Sequence, residues 1–328
     1  MKKNYTKLMM IILTVLCVAM AVGCGKEETA TEVRVGSLKG PTSIGLVELM
    51  ERSEQNETSN QYSFTMETAA DTLLTMMVQD QLDIALVPAN VASVLYNKTE
   101  GNVVVIDINT LGVLYMVSGD KTIESISDLK GKTVYLTGKG TTPDYVLQYV
   151  LEENGLTLEN VTLEYKSEAT EVAAVLSADP EAIGLLPQPF VTATMVKNEE
   201  VGIVFDMNEE WNKLQGEDGS RMVTGVTVVR KAFLEENAKA VELFLADHKQ
   251  SAEYVNANLD GAASLVVKTG IIEKEPIAKK AIPKCNIAYV DGMEMKTALS
   301  GYLTVLFEKD AKAVGGKVPG EDFYYLGK

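Results

Sequence analysis

From residue 33 onward the chain alternates short apolar runs with helix-like segments, and this alternation is the strongest constraint on its fold. Such a rhythm builds mainly parallel sheets with helices on both faces. VRVGSL (33–38) reads as a strand, PTSIGLVELMERS (41–53) as a helix with proline in its first turn, and YSFTME (62–67) as a strand. The stretch 69–79 puts Leu73, Leu74, Met77 and Val78 on one helical face. LDIALV (82–87), a helix in PANVASVLYN, NVVVIDI (102–108) and LGVLYMVSG (111–119) complete a first block.

A second block repeats the rhythm without repeating the sequence. It runs through KTVYLT (132–137), a helix over 143–154, VTLEYK (161–166), a helix over 168–178 and EAIGLL (181–186). A helix in PQPFVTATMVKN and the strand EVGIVFDM (200–207) follow. MVTGVTVVRKAF (222–233) is a long apolar strand leading into helices over 231–257, 275–282 and 292–309. The strands at 111–119 and 222–230 each leave one block for the other. The expected fold is therefore α/β, with two doubly wound lobes joined by a two-crossing hinge. Residues 33–110 form the first part of lobe 1, 111–224 the hinge strand and lobe 2, and 225–328 the return strand and helices covering lobe 1.

Ahead of the folded part, Lys2, Lys3 and Lys7 precede an apolar run from Leu8 to Val22, the pattern of a secretory signal over 1–23. Ala21, Val22 and Gly23 before Cys24 resemble the lipobox of bacterial lipoproteins, whose cysteine is diacylated with palmitate-type chains. Residues 24–32 are then a polar tether, and the protein is expected lipid-anchored on the extracytoplasmic face of the bacterial cell membrane. Cysteine use agrees, because Cys17 leaves with the signal and Cys285 then stands alone, without a partner for a disulfide within one chain.

Charge narrows the function. Loss of the three signal lysines takes the net charge from −16 to −19, which argues against nucleic acid and against anionic lipid as surface partners. His248 is the sole histidine, so histidine-rich metal sites and histidine-dependent serine or cysteine triads have no material to work with. No cofactor and no metal are expected.

Three stretches in order, SISDLKGKTVYL with its glycine-rich turn, LDIALVPANVASV and AIGLLPQPFVTAT, resemble the extracytoplasmic solute-binding proteins of ABC importers. The resemblance is to the SsuA-like branch, which takes nitrate, taurine, alkanesulfonates and thiamine precursors. It implies a type 2 periplasmic-binding-protein fold, a small-molecule ligand between the lobes, an ABC permease as partner and a monomer. An enzyme on the same fold is the alternative. Relatives of that kind are the pyrimidine-precursor synthases and the menaquinone-pathway proteins; the former use a histidine, a pyridoxal-bearing lysine and a cysteine-rich motif, and no cysteine cluster exists here. A sensory lipoprotein that partners a receptor is a further alternative. A non-enzymatic binding protein is the expectation.

Open α/β sheets bind ligands outside the carboxyl ends of their strands, and four loops qualify: 38–43, 88–90, 137–142 and 187–190. TGKGTTPD (137–144) is not a phosphate loop, since Lys139 is followed by Gly140 rather than Ser or Thr. Its glycines still allow close backbone approach, so Gly140, Thr141 and Thr142 either bind a ligand or cap the helix begun at Pro143. Lys39, Thr42 and Ser43 offer a cation and two hydroxyls after the first strand, Asn90 a donor and an acceptor, and Gln188 an amide between two prolines. Thr110 stands at the first crossing. This set suits an anion or a small heterocycle. Phe190 and Trp211 read as packing residues, Trp211 in a peripheral helix, and Arg221 as a solvent-facing arginine.

Overall fold

The computed structural model describes residues 30–216 and 219–327. The signal run, Cys24 and the tether up to residue 29 lie outside the described residues. Glu32–Lys328 form one compact unit.

The strands are β1 (Glu32–Leu38), β2 (Gln61–Glu67), β3 (Ile84–Pro88), β4 (Val103–Leu111), β5 (Leu114–Ser118), β6 (Thr133–Thr137), β7 (Thr162–Lys166), β8 (Ile183–Pro187), β9 (Gly202–Asp206), β10 (Val223–Arg230) and β11 (Ile287–Val290). They form a six-stranded sheet in the order β11-β4-β10-β3-β1-β2 and a five-stranded sheet in the order β7-β6-β8-β5-β9. Both sheets are mixed rather than mainly parallel. β1 runs parallel to β2 and β3, and β6 to β7 and β8, but β10 is antiparallel to β3 and β4, and β5 to β8 and β9. The reason is the crossing itself. A strand arriving from the other sheet enters at the end where its new neighbours finish, and so runs against them.

Chain order places α1 (Pro41–Ile44), α2 (Val47–Glu54), α3 (Ala70–Val78), α4 (Ala89–Lys98), α5 (Thr142–Glu153), α6 (Ala169–Ala178), α7 (Phe190–Lys197) and α8 (Met207–Gln215) between the strands. α9 (Lys231–Glu236), α10 (Ala238–Ala257), α11 (Leu259–Lys268), α12 (Glu275–Ala281) and α13 (Gly292–Lys309) follow β10. The single helix expected over 41–53 is two pieces. Thr42 and Ser43 both donate back to the Leu38 carbonyl at 2.7 Å, offering the chain a local alternative to helix, and Gly45 and Leu46 part α1 from α2. α7 begins only at Phe190, because Pro189 steers the residue before it away from helical backbone. α11 and β11 were not anticipated, the second being a four-residue strand too short for a periodic signal.

One apolar core runs through both sheets, from Leu73, Val105 and Val226 to Met116, Val146 and Trp211, with Leu299 and Leu303 of α13 between. α13 therefore does more than cover the first sheet. It also packs on α5, where Lys309 pairs with Glu152 and the Tyr145 hydroxyl lies 3.1 Å from Asp310 Oδ2. A second core, with Val33, Leu49, Ile84, Ile106 and Phe244, fills the opposite face of the first sheet. On that face Asp107 accepts from Thr227 Oγ1 at 2.8 Å and meets His248 Nδ1 at 3.2 Å, all three fully buried. Asn109 extends the line to Thr110, whose hydroxyl donates to Asn109 Oδ1 at 2.9 Å. His248 is thus a packed partner of β4, away from solvent.

Between the sheets, β4 passes into β5 through Gly112 and Val113, and β10 pairs Val223 with Leu111 beside it. A Cβ on Gly112 would lie 2.2 Å from Met222 Cε and 2.8 Å from Asn208 Cβ, so the two crossings touch at this glycine.

Candidate ligand site between the two sheets

Where the carboxyl ends of β3, β6 and β8 face one another across the crossings, a cavity of 290 Å³ is lined by both halves of the unit. The first sheet contributes Pro88, Asn90 and Val91, the second Thr141, Thr142, Pro143 and Pro187. Val113, Leu114, Met222, Val223 and Thr224 of the crossings form its floor, and Tyr302 of α13 closes one side. A larger hollow of 490 Å³, bordered by Asp80, Glu100 and Arg230, sits at the opposite end of the first sheet, where strands start. Strand carboxyl ends are where open α/β sheets hold ligands, so the smaller, shared cavity is the candidate site.

The loop that opens α5 shows how its residues are arranged. Gly138 and Gly140 adopt φ of 75° and 71°, left-handed backbone that glycine takes without strain. Thr141 is the N-cap residue, and Pro143 sits early in the first turn, where a missing N–H costs nothing. Neither threonine hydroxyl caps the helix. Thr141 Oγ1 instead donates to the Gly138 carbonyl at 2.5 Å, and the Gly140 amide donates to Asp144 Oδ2 at 2.8 Å. Asp144, in the first turn, is buried and also accepts from Gln148 at 2.6 Å and from the Tyr165 hydroxyl at 2.8 Å. The positive end of α5 is therefore already met by a carboxylate of its own chain. Lys139 turns away and lies 5.3 Å from the centre of the Tyr165 ring.

Asn90 stands at the start of α4 and donates to the Ala313 carbonyl at 3.4 Å, while Ser93 and Asn97 hold Val314 at 2.7 and 2.8 Å. These bonds clamp the cavity's α4 wall to the segment after α13. Behind Tyr302 stands Trp211, buried and central rather than peripheral. Its ring lies 5.4 Å from Tyr302 edge-on and 4.6 Å from Tyr149, and its Nε1 donates to Ser220 Oγ at 3.1 Å. The Tyr302 hydroxyl is buried and has no hydrogen-bond partner. Thr142 is near enough to influence this phenol, but the two groups do not meet in hydrogen-bond geometry. Burial raises the Tyr302 pKa well above the ordinary phenol value, so it stays protonated.

Of the residues singled out in the sequence, Asn90, Thr141 and Thr142 come together on the cavity wall. Thr42, Ser43 and Thr110 are buried, with hydroxyls spent inside the first sheet and its α1 corner. Gln188 is 1% exposed, its Oε1 accepts from Thr192 at 2.8 Å, and its Nε2 is buried without a partner. Lys39 and Gly140 are exposed and line no part of the cavity. Phe190 is not core, being 38% exposed beside an alanine-lined groove between α6 and α7. Arg221 pairs with Glu294 at 3.0 Å. Tyr302 and Met222–Thr224 carried no signal in the sequence, since apolar residues in a helix or strand pattern read as core. Among the described residues no group of three or more His, Cys, Asp and Glu side chains is placed to hold a metal ion.

Residues 55–194 match the family model of the periplasmic substrate-binding protein of phosphonate ABC transporters. Binding proteins of Brucella abortus, B. suis and B. melitensis are 22% identical over 188 residues, 57% of this chain. The chain spans little more than half of those relatives, 56% of their length. Among solved structures, an ABC transporter protein of Parabacteroides distasonis superposes with a TM-score of 0.75 at 22% identity, over 90% of this chain and 99% of that one. The periplasmic aliphatic sulphonate binding protein SsuA of Escherichia coli gives 0.72 at 14% identity, over 90% and 92%. The fold is that of the periplasmic binding proteins.

Proposed function

We propose that this chain is the substrate-binding component of an ABC import system: a monomeric, non-enzymatic protein, anchored through Cys24 outside the cell membrane, that delivers a small solute to its permease. The observation that carries this reading is the cavity itself, walled by loops from both sheets and floored by the two crossings. Such a site is completed only when both halves are in place, so hinge motion at Gly112 and Met222 would couple closure to capture. The family match over residues 55–194 supports the transport role, and the apolar run before Cys24 supports the anchor.

Calorimetry and small-angle scattering across a library of small sulfonates, phosphonates, carboxylates and heterocycles test the reading together. Saturable binding with a smaller radius of gyration is the expected result. A folded protein that neither binds nor compacts with any of them sinks it. Cys24→Ala, followed by fractionation, tests the anchor, because release into the medium is expected.

A further inference from the structure

Resting on the assignment of the shared cavity as the solute site, we infer that its ligand is an uncharged, largely apolar molecule whose hydrogen-bond acceptor takes the proton of the Tyr302 hydroxyl. At the volume water occupies in the liquid, 290 Å³ corresponds to about ten non-hydrogen atoms.

The walls exclude charge. Among the described residues no Lys, Arg, His, Asp or Glu lines the cavity, and its floor of Val113, Leu114, Met222 and Val223 is apolar. Nearby cations are engaged or point elsewhere: Lys139 lies over Tyr165, Arg221 is paired with Glu294, and Lys39 faces solvent. The helix start that would otherwise attract an anion is met by Asp144, which holds the Gly140 amide. An anion here would give up water, find no countercharge and approach a buried carboxylate, in a chain of net charge −16.

The walls also ask for one polar contact. Thr141 satisfies its hydroxyl on Gly138, and Asn90 reaches Ala313. Tyr302 alone among the wall phenols and hydroxyls is fully buried and outside hydrogen-bond geometry, with Thr142 its neighbour and its ring held by Trp211. A buried donor without a partner destabilises the empty protein, and a ligand carbonyl or ring nitrogen at that point removes the penalty. An apolar body with one acceptor is therefore bound better than its sulfonate or phosphonate counterpart, a preference opposite to what the likeness to SsuA suggests.

Calorimetry on the full mature chain with a panel of matched sets tests this, benzamide with benzenesulfonate and phenylphosphonate being the first set, and other uncharged amides, ketones and heterocycles of that size following. The expected result is that uncharged members bind at least tenfold more tightly than their anionic counterparts, and that Tyr302→Phe weakens the uncharged members about tenfold. Because Phe fills the same space and removes only an unpartnered hydroxyl, the melting temperature of the empty variant should be unchanged or higher. Tighter binding of the anionic members, or uncharged binding untouched by Tyr302→Phe, overturns the inference while leaving the solute-binding reading intact. If the whole panel fails to bind folded protein, the assignment of the cavity falls, and the inference with it.

Discussion

The loops 38–43 and 137–142 are made of the same parts, a lysine, glycine and hydroxyl residues at the start of a helix that carries proline in its first turn, yet the structure uses them in opposite ways. In the first, Thr42 and Ser43 fold back onto the Leu38 carbonyl, and Ser43 also reaches Ser37 at 2.8 Å. The hydroxyls there hold the end of β1 against α1 and are closed to solvent. In the second, the loop's strong acceptor is supplied from within α5 by Asp144, which leaves Thr142 on the cavity wall. A loop of glycine and hydroxyl residues thus becomes a wall or a brace according to which acceptor lies beneath it. Both loops carry a lysine, glycine and hydroxyl residues, and those shared residues do not tell the two uses apart.

The largest blow to this comparison comes from Trp211→Ala, which removes the support behind Tyr302. A loss of about 3–5 kcal/mol in denaturant unfolding is expected, together with loss of binding at the second loop. Next, Asp107→Ala strips the acceptor from Thr227 and the partner from His248, on the side of the first loop. It should cost about 3 kcal/mol, since two buried polar groups lose their bonds, and leave ligand affinity in the folded fraction unchanged.

Asp144→Ala turns the second loop into the arrangement it only resembles. The Gly140 amide, Gln148 and Tyr165 lose their acceptor, so about 1–3 kcal/mol of stability should go. Sulfate, which should not bind the parent protein, should gain measurable affinity in calorimetry. A variant still blind to sulfate argues that Asp144 does not set the loop's preference. A finer cut pairs Ser43→Ala with Thr142→Val. The first should lower stability by about 1 kcal/mol with affinity unchanged. The second should move stability by no more than about 0.5 kcal/mol while altering affinity several-fold. The reverse outcome inverts the roles of the two loops.

The mildest effect is on pH. Burial alone would raise the Asp83 pKa, but hydrogen bonds from Arg34 at 2.9 and 2.7 Å and from Arg230 at 2.7 Å outweigh it and hold the carboxylate below its ordinary value. The unfolded chain therefore takes up this proton first, near its usual pKa of about 3.9. The stability Asp83 contributes is complete above that pH and drains away as pH falls through the lower folded value. Asp206 acts in the other direction, because burial raises its pKa and its contribution is lost as pH rises through that value. In Arg230→Met the acid-side loss should be smaller in chemical denaturation at pH 3 relative to pH 6.

Much of the fold was legible in the chain. Period-two and period-3.6 patterns locate ten of the eleven strands among the described residues to within a few residues, because burying one face of each element is a local requirement written into its own residues. The crossings were legible too, as long, mainly apolar strand patterns at 111–119 and 222–230. The candidate site was legible only in part. Asn90, Thr141 and Thr142 follow strand ends and could be found by that rule. Tyr302 could not, since it lies far along the chain on a helix whose apolar face looks like any other.

The alternation of residues from 33 onward thus determined by itself that the chain would form two α/β sheets joined twice, because periodicity and turn chemistry act over a few residues. Long-range folding decided that Asp144 also meets Tyr165, that Asp107 joins Thr227 and His248, and that α13 carries Tyr302 to the meeting point of the two sheets. Those outcomes depend on residues brought together from distant parts of the chain, and no local pattern records them.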